Sequence, residues 1–534
     1  MRSRLRAFAS VALIGCVSLV PLAACSTSSG TASASSAFKI GIPEEPDTLD
    51  PQTTNAAMAR TILRYAGDTL VDTDPSANGR IVPGLAKSWH SSANGLRWTF
   101  DLKAGVKFQN SDAMNAAAVV ASFQRAMSPN TKAGSVSAVI KPIKAVTAVG
   151  ATAVVFDLKQ PYSLFLQNLA DPSASIVDAK VADSEGSKFG RAPVLTGAWK
   201  VTQWVSGDHI TLARNPAYNW GPPFAGNGPA KLQTLTFQII PDSATQVTAL
   251  ESGEIQALAA VPTANIKSFD ANPNFTSYKY LRQGVGLFLE FDVNKAPFND
   301  IRVRKALASA VDAQQLAKVA LLGQGSVACG PLPPSIPGYW SGMCNYAPRY
   351  DPSRAKALLA QAGWKPGAGG VLQKNGTPFT FTLYSSATPA TWNTSAQLLQ
   401  QQLKAVGIGM TIQNLEFGTL LSKAQAGADA AHLMGYTYNT ADILDLWFRS
   451  TNSGAGLNLS HIKDPHLDSL ISAYQTQTTD AGRNTALVAV QKYITDLALW
   501  VPLWNDEQDI VATKQLQGAQ LSSQGYLVLN QAHL

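Results

Sequence analysis

Pro83-Gly-Leu-Ala-Lys-Ser-Trp89, Asn94-Gly-Leu-Arg-Trp-Thr-Phe100 and Leu102-Lys-Ala-Gly-Val-Lys-Phe108 follow one another with almost no slack. From Leu96 to Lys103 the residues alternate: Leu96, Trp98, Phe100 and Leu102 share one face, and Arg97, Thr99, Asp101 and Lys103 the other. A period of two marks a half-buried β-strand. Ser92-Ala93-Asn94-Gly95 is the turn before it, and Ala104-Gly105 ends it. Val106 and Phe108 resume the apolar face. Ser111 or Asp112 is placed to cap a helix whose apolar residues fall at Val119, Val120, Phe123 and Met127.

Further along, strands and helices mix. Leu232 to Ile240 alternates like a strand, and Ala244 to Ser252 reads as a short helix ending before Gly253. Ile301 to Leu322 is predicted as one long helix, with Val303, Leu307, Val311, Leu316, Val319 and Leu322 near helical spacing. Pro352-Ser353 opens another helix ending near Gly363. Phe379 to Tyr384 is a strand, and Asn393 to Ala405 a helix before Gly407. This is α/β organisation, on a chain too long for one core.

The opening stretch resembles the signature of extracytoplasmic solute-binding proteins of the dipeptide/oligopeptide/nickel class, family 5, which deliver ligands to ABC importers. Gly41-Ile-Pro-Glu-Glu-Pro-Asp-Thr-Leu-Asp-Pro51 resembles that family's first strand and loop. Thr196-Gly-Ala-Trp199 through Arg214-Asn-Pro-Ala-Tyr218 resembles its middle block. Phe288 to Asp312 and Tyr350 to Trp364 resemble the blocks that open its second lobe. The resemblance implies a two-lobed periplasmic-binding-protein-like α/β fold of class II, cluster C type, with an extra third domain and a hinge. The expected divisions are lobe I over 38–76, 196–284 and 497–534, the extra domain over 77–195, and lobe III over 285–496. The crossings near Gly284-Val-Gly286 and Leu497 to Leu503 would form the hinge. Glycine tolerates the backbone changes a hinge needs, and Gly284 and Gly286 also fit a bulged strand.

Arg2, Arg4 and Arg6 precede a long apolar run that ends in Leu22-Ala23-Ala24-Cys25. That is a secretion signal over 1–24. Its end resembles a lipobox, with Cys25 the residue to be lipidated; an ordinary signal peptide or an uncleaved anchor helix are the other readings. Residues 25–37 are small and polar and read as a flexible tether. A lipid anchor would hold the protein on the outer face of the cell membrane. Loss of 1–24 lowers the net charge from +7 to +4, and no basic run tracks phosphates, so nucleic acid is not expected. Cys329 and Cys344 remain in the mature chain. Outside the cytoplasm a disulfide is expected, contributing about 3 kcal/mol in the chain-entropy model; two buried thiols are the alternative.

Catalytic constellations are missing. There is no Gly-Lys pair for a phosphate loop and no Gly-x-Ser-x-Gly elbow. Ser353/Lys356 and Ser460/Lys463 match Ser-x-x-Lys, a pattern common by chance. Gly323-Gln-Gly325-Ser-Val-Ala328 follows a predicted helix and so reads as an exit loop, not a dinucleotide fingerprint. His461 and His466 do not share a helix face. No enzyme, cofactor or metal is expected.

A binding site is legible between Met434 and Phe448, where Gly435, Tyr436, Tyr438, Asn439 and Asp442 combine aromatic, small and polar groups. This run resembles the Gly-Trp-x-x-Asp of peptide-binding relatives, whose Asp holds a peptide's amino end. Here Tyr436 takes the Trp place and Asn439 the Asp place. An amide pairs with an ammonium far more weakly than a carboxylate does. Asp442, three residues on, is a second candidate for that role. Asn439, Tyr436, Tyr438, Trp392 and Asn55 suit a peptide held by its backbone. They also suit a neutral oligosaccharide or siderophore-like solute, but the resemblance makes a peptide the expected ligand. The expected partners are that ligand, an ABC permease and the membrane, with the protein a monomer; a solute-presenting receptor or chaperone would use the same fold.

Overall fold

The computed structural model describes residues 37–534 except 78, 227, 388 and 455. The signal segment, Cys25 and the tether to residue 36 lie outside the described residues. The strand Trp500–Thr513 organises the rest, because it belongs to both halves of a twelve-stranded sheet. Its first half pairs antiparallel with Val285–Phe291, from Leu287 opposite Trp504 to Glu290 opposite Trp500. Its second half pairs with Phe275–Leu281, from Leu281 opposite Glu507 to Phe275 opposite Thr513. Consecutive strands therefore sit on different halves, joined only by Arg282, Gln283 and Gly284. The short strand Gly325–Val327 extends the first half as far as Asp506. Its pairing partner thus changes between Asp506 and Glu507.

Beyond these strands the halves diverge. On one side Ala257–Leu258, Ala37–Ile42 and Thr234–Ile239 lead to the hairpin formed by His209–Arg214 and Trp199–Val205. On the other, Val285–Phe291 is followed by Ala431–Tyr436, Thr380–Ser386 and Gly409–Leu415. Parallel pairs on both sides have helices between them, the signature of α/β layering.

The stretch that opens the sequence reading forms a separate four-stranded antiparallel sheet: Ala86–Ser91, Arg97–Leu102, Ala153–Leu158 and Ile143–Val149. Phe100 and Leu102 are buried on the predicted face, with Trp98 half-buried. Gly95 closes the turn at φ +68°, with its amide donating to the Ser92 carbonyl at 2.9 Å. Phe123 of the helix Ala116–Met127 meets Phe156 edge-on at 4.9 Å, and Phe156 meets Phe165 at 5.5 Å. Each buried ring contributes roughly 1.5–3 kcal/mol of hydrophobic stabilisation.

Three local expectations are corrected. The cap of Ala116–Met127 is Asn115, whose side chain accepts from the Ala118 amide at 3.1 Å, not Ser111 or Asp112. Ser111 instead turns at φ +77°, and Asp112 accepts from the Phe108 amide through its carbonyl. The predicted helix over Ile301 to Leu322 is two, Ile301–Ala310 and Ala313–Ala320. Val311 is extended there, and Asp312 caps the second helix by accepting from the Gln315 amide at 2.9 Å. The predicted exit loop after Gly323 contains the strand Gly325–Val327. Cys329 and Cys344 are joined by a disulfide. No helix of the described residues is long and apolar enough to cross a membrane.

Candidate ligand-binding cleft

A cleft of about 1890 Å³ lies where the sheet halves, segments flanking the four-stranded sheet and the helix Ala57–Ala66 meet. It exceeds the roughly 300–1,000 Å³ of ordinary small-molecule pockets. Asn439, Asp442, Tyr436, Tyr438, Trp392 and Asn55 all line it, as do Gly284 and Gly286. The structure thus brings every ligand-binding candidate from the sequence to one place.

The strand Ala431–Tyr436 runs into the cleft and delivers Tyr436 to Asn439 at its end. Two glycines allow that approach. A Cβ on Gly284 would stand 2.2 Å from the Tyr436 carbonyl oxygen, and one on Gly286 1.9 Å from the Trp504 carbonyl oxygen. Gly286 lies within the bulged strand Val285–Phe291, whose register shifts against both neighbours. Tyr436 rests against Trp447, ring centres 5.1 Å apart, and Trp392 meets Phe417 edge-on at 6.2 Å.

Asn439 faces a carboxylate. Its Nδ2 donates to Asp171 Oδ2 at 2.6 Å. Asp171 is fixed by its own turn: its Oδ1 accepts from the Ser173 amide at 2.9 Å and hydroxyl at 2.6 Å, with Pro172 opening the turn. That leaves Oδ2 for the cleft. Asp442 precedes the helix Ile443–Phe448 without capping it. Its carboxyl is buried and accepts from Tyr162, from Tyr474 Oη at 3.2 Å and from Gln475 Nε2 at 3.1 Å. Burial, reinforced by the charge of Asp445, pushes its pKa up to about 7, although the Gln475 and Tyr474 bonds oppose the shift.

Asp171 and Tyr162 follow the four-stranded sheet in the chain, and Asn439 and Asp442 follow the strand Ala431–Tyr436. The walls also meet outside the cavity. Ser163 donates its amide to the Gln475 carbonyl and its hydroxyl to the Tyr474 carbonyl, both at 2.7 Å, and accepts from Arg483 at 3.0 Å. These bonds satisfy carbonyls at the C-terminal end of the helix Pro465–Gln475, which its own turns leave free.

Behind the aromatic wall lies a buried charge network. Glu290 Oε2 accepts from His432 Nε2 and Trp447 Nε1, each at 3.0 Å. His432 Nδ1 lies 2.8 Å from Asp429. Burial alone would lower the His432 pKa, but the bonds to Asp429 and Glu290 outweigh it and push the value up to about 10. Trp447 couples this network to Tyr436.

Sequence reasoning missed Asp171, Tyr162 and the arginines of the helix Ala57–Ala66. Asp171-Pro172 carries a turn signal, but nothing local says that it faces a residue 268 positions away. His461 and His466 are separated: His461 Nε2 bonds to the Gln425 carbonyl at 3.1 Å, and His466 packs on the Tyr493 ring. Among the described residues no group of three or more His, Cys, Asp or Glu side chains could hold a metal.

A large cleft between two sheet halves, spanned by one shared strand and a three-residue connection, defines a two-lobed ligand-capturing protein. The family model for bacterial extracellular solute-binding proteins, family 5 (middle), matches residues 80–455, and the chain belongs to that family. It is a binding protein and not an enzyme. The glutathione-binding protein GsiB of Escherichia coli (strain K12) is 28% identical over 485 residues, covering 88% of this chain and 89% of that protein. HbpA2 from Haemophilus parasuis superposes with a TM-score of 0.81 at 23% identity, covering 93% of this chain and 99% of that one. The ABC transporter-associated periplasmic binding protein DppA from Helicobacter pylori, solved with the peptide STSA, gives 0.73 at 25% identity, covering 93% and 99%.

Proposed function

We propose that this chain captures short peptides in its cleft and delivers them to an ABC permease, held at the outer face of the membrane by a lipid on Cys25. Lobe I (38–76, 196–284, 497–534), the extra domain (77–195) and lobe III (285–496) close over the ligand about Gly284 and Gly286. Contacts to both walls favour the closed form, because only a differential affinity can shift the hinge equilibrium. One observation carries the peptide reading: the carboxylates of Asp171, which accepts from Asn439, and of Asp442 line one cleft. They supply the negative charge that Asn439 lacks. The ligands of GsiB and DppA, glutathione and a peptide, support the same class.

The pH dependence follows. A peptide ammonium is held by the ionised form of Asp442, whose pKa is raised to about 7. Below that value binding must displace a proton, so affinity falls by up to about tenfold per pH unit. Above it affinity levels off. Isothermal titration of the mature protein with short peptides between pH 5.5 and 8.5 is expected to show this profile, with proton release near pH 7. N-acetylated peptides are expected to bind weakly at every pH. Equal binding of acetylated and free peptides would sink the ammonium site.

A neutral polar solute is the second reading, favoured by the aromatic faces of Tyr436, Tyr438 and Trp392 in the same cleft.

A further inference from the structure

Ser163 is fixed to the four-stranded sheet. Phe165, two residues on, is fully buried, its ring centre 5.5 Å from that of Phe156 and 6.4 Å from that of Phe100. The sheet is tied in turn to the half of the large sheet that carries Trp199–Val205. Lys103 Nζ donates to the Trp220 and Gly221 carbonyls, each at 2.8 Å, and Gln109 Nε2 to the Trp199 carbonyl at 2.9 Å.

The partners of Ser163 belong to the other half. Tyr474, Gln475 and Arg483 lie on the helices Pro465–Gln475 and Asp480–Leu497, which Tyr493 joins by donating to Asp464 at 2.8 Å. Tyr474 Oη donates to the Ala441 carbonyl at 3.3 Å, and Arg304 Nη2 to the Leu497 carbonyl at 2.8 Å. The helix Asp480–Leu497 ends just before the shared strand Trp500–Thr513. About 20 Å of helix separates Arg483 from that end. The contact therefore acts at the end of a long arm from the shared strand, where a small rotation takes it out of hydrogen-bond reach.

Ser163 engages both helices with every polar group it has. Its amide donates to the Gln475 carbonyl and its hydroxyl to the Tyr474 carbonyl, both at 2.7 Å, and its carbonyl accepts from Arg483 Nη1 at 3.0 Å. Beside it the Gly95 turn reaches the loop between the helices: a Cβ on Gly95 would stand 3.1 Å from Thr478 Cγ2. Ser163, Tyr474 and Arg483 do not line the cleft. Their bonds form when the halves meet, whatever the cleft holds. In the separated halves the same groups face water, so each bond adds a modest net preference for closure.

We propose that Ser163 and Arg483 form a latch that favours the closed cleft independently of the ligand. This rests on the hinge reading above and adds regulation to it: release of a ligand waits on the latch as well as on the ligand's own contacts.

The test compares the wild type with the Ser163→Ala/Arg483→Met double variant. That variant loses the hydroxyl and guanidinium bonds and keeps the Ser163 amide. It also loses the Arg483–Asp480 pair, which is worth little because Asp480 is exposed. Small-angle X-ray scattering of protein dialysed free of solute is expected to give the folded variant a larger radius of gyration. A bound random tetrapeptide library is expected to leave it about tenfold faster, the scale of one charge-assisted hydrogen bond. Ser163→Ala alone, at a half-buried position, decides the matter if the double variant melts. An unchanged radius in a folded variant, with a wild type that contracts on adding the library, overturns the latch and leaves the hinge standing. An unchanged radius with a wild type that binds the library but does not contract overturns the hinge and the latch together. If no peptide binds, the peptide reading falls, and the solute-free radii alone decide the latch.

Discussion

Glu290→Gln is expected to lower the stability of the protein by about 3–5 kcal/mol, the cost of breaking a buried ion pair from one side. Glu290 is fully buried, and its Oε2 receives both His432 and Trp447. An amide can still accept from Trp447. It cannot balance His432, whose ring would remain buried with Asp429 alone. The loss reflects an uncompensated charge more than the net worth of the pair, since Glu290 Oε1 itself finds no partner among the described residues. The sign with pH is fixed by the shift. His432 has a folded pKa raised to about 10 from an ordinary 6.5. Its contribution is complete below 6.5 and is lost as pH rises through about 10. Urea unfolding at pH 7 and at pH 10.5 measures both effects. The gap between wild type and Glu290→Gln should be wide at the first and narrow at the second. A gap under about 0.5 kcal/mol at pH 7, the range of ordinary surface changes, contradicts the network's role.

Gly286→Ala is the second large effect, expected to cost about 3 kcal/mol and to weaken ligand binding together with stability. The added Cβ would stand 1.9 Å from the Trp504 carbonyl oxygen, 2.8 Å from its carbon and 2.9 Å from the Asn505 Cα. These are backbone atoms, so no rotamer relieves the clash. Strand Val285–Phe291 must move off Trp500–Thr513, and the Tyr436 strand paired to its other edge moves with it. Gly105→Ala is the comparator: its Cβ meets nothing within 4 Å, but its φ is +75°. That change should cost only the left-handed penalty of about 1–2 kcal/mol and leave binding intact. Equal losses in the two variants would show that close strand approach at Gly286 is not what the sequence protects.

Much of this architecture is legible where a local rule meets no competitor. The alternation from Leu96 to Lys103, bounded by Asn94-Gly95, gives a strand because period, turn residue and burial agree. The Met434 to Phe448 run reads as a pocket wall because its aromatics and glycine are contiguous. The break at Val311 and Asp312 is hidden, because apolar spacing continues through it while the cap depends on backbone geometry. Asn115 is hidden as a cap because two earlier polar residues have equal claims. The facing of Asp171 and Asn439, and the meeting of Glu290 with His432, depend on chain crossings that no local pattern encodes. Arg60 and Arg64 are readable as a same-face pair, but not as facing a cleft.

Native mass spectrometry of the protein, purified gently from its own cells, tests the central claim most directly. The bound solute is then freed and sequenced or otherwise identified. The account predicts a mixture of short peptides with free amino and carboxyl ends. A single neutral sugar or another uncharged solute in the cleft would contradict it.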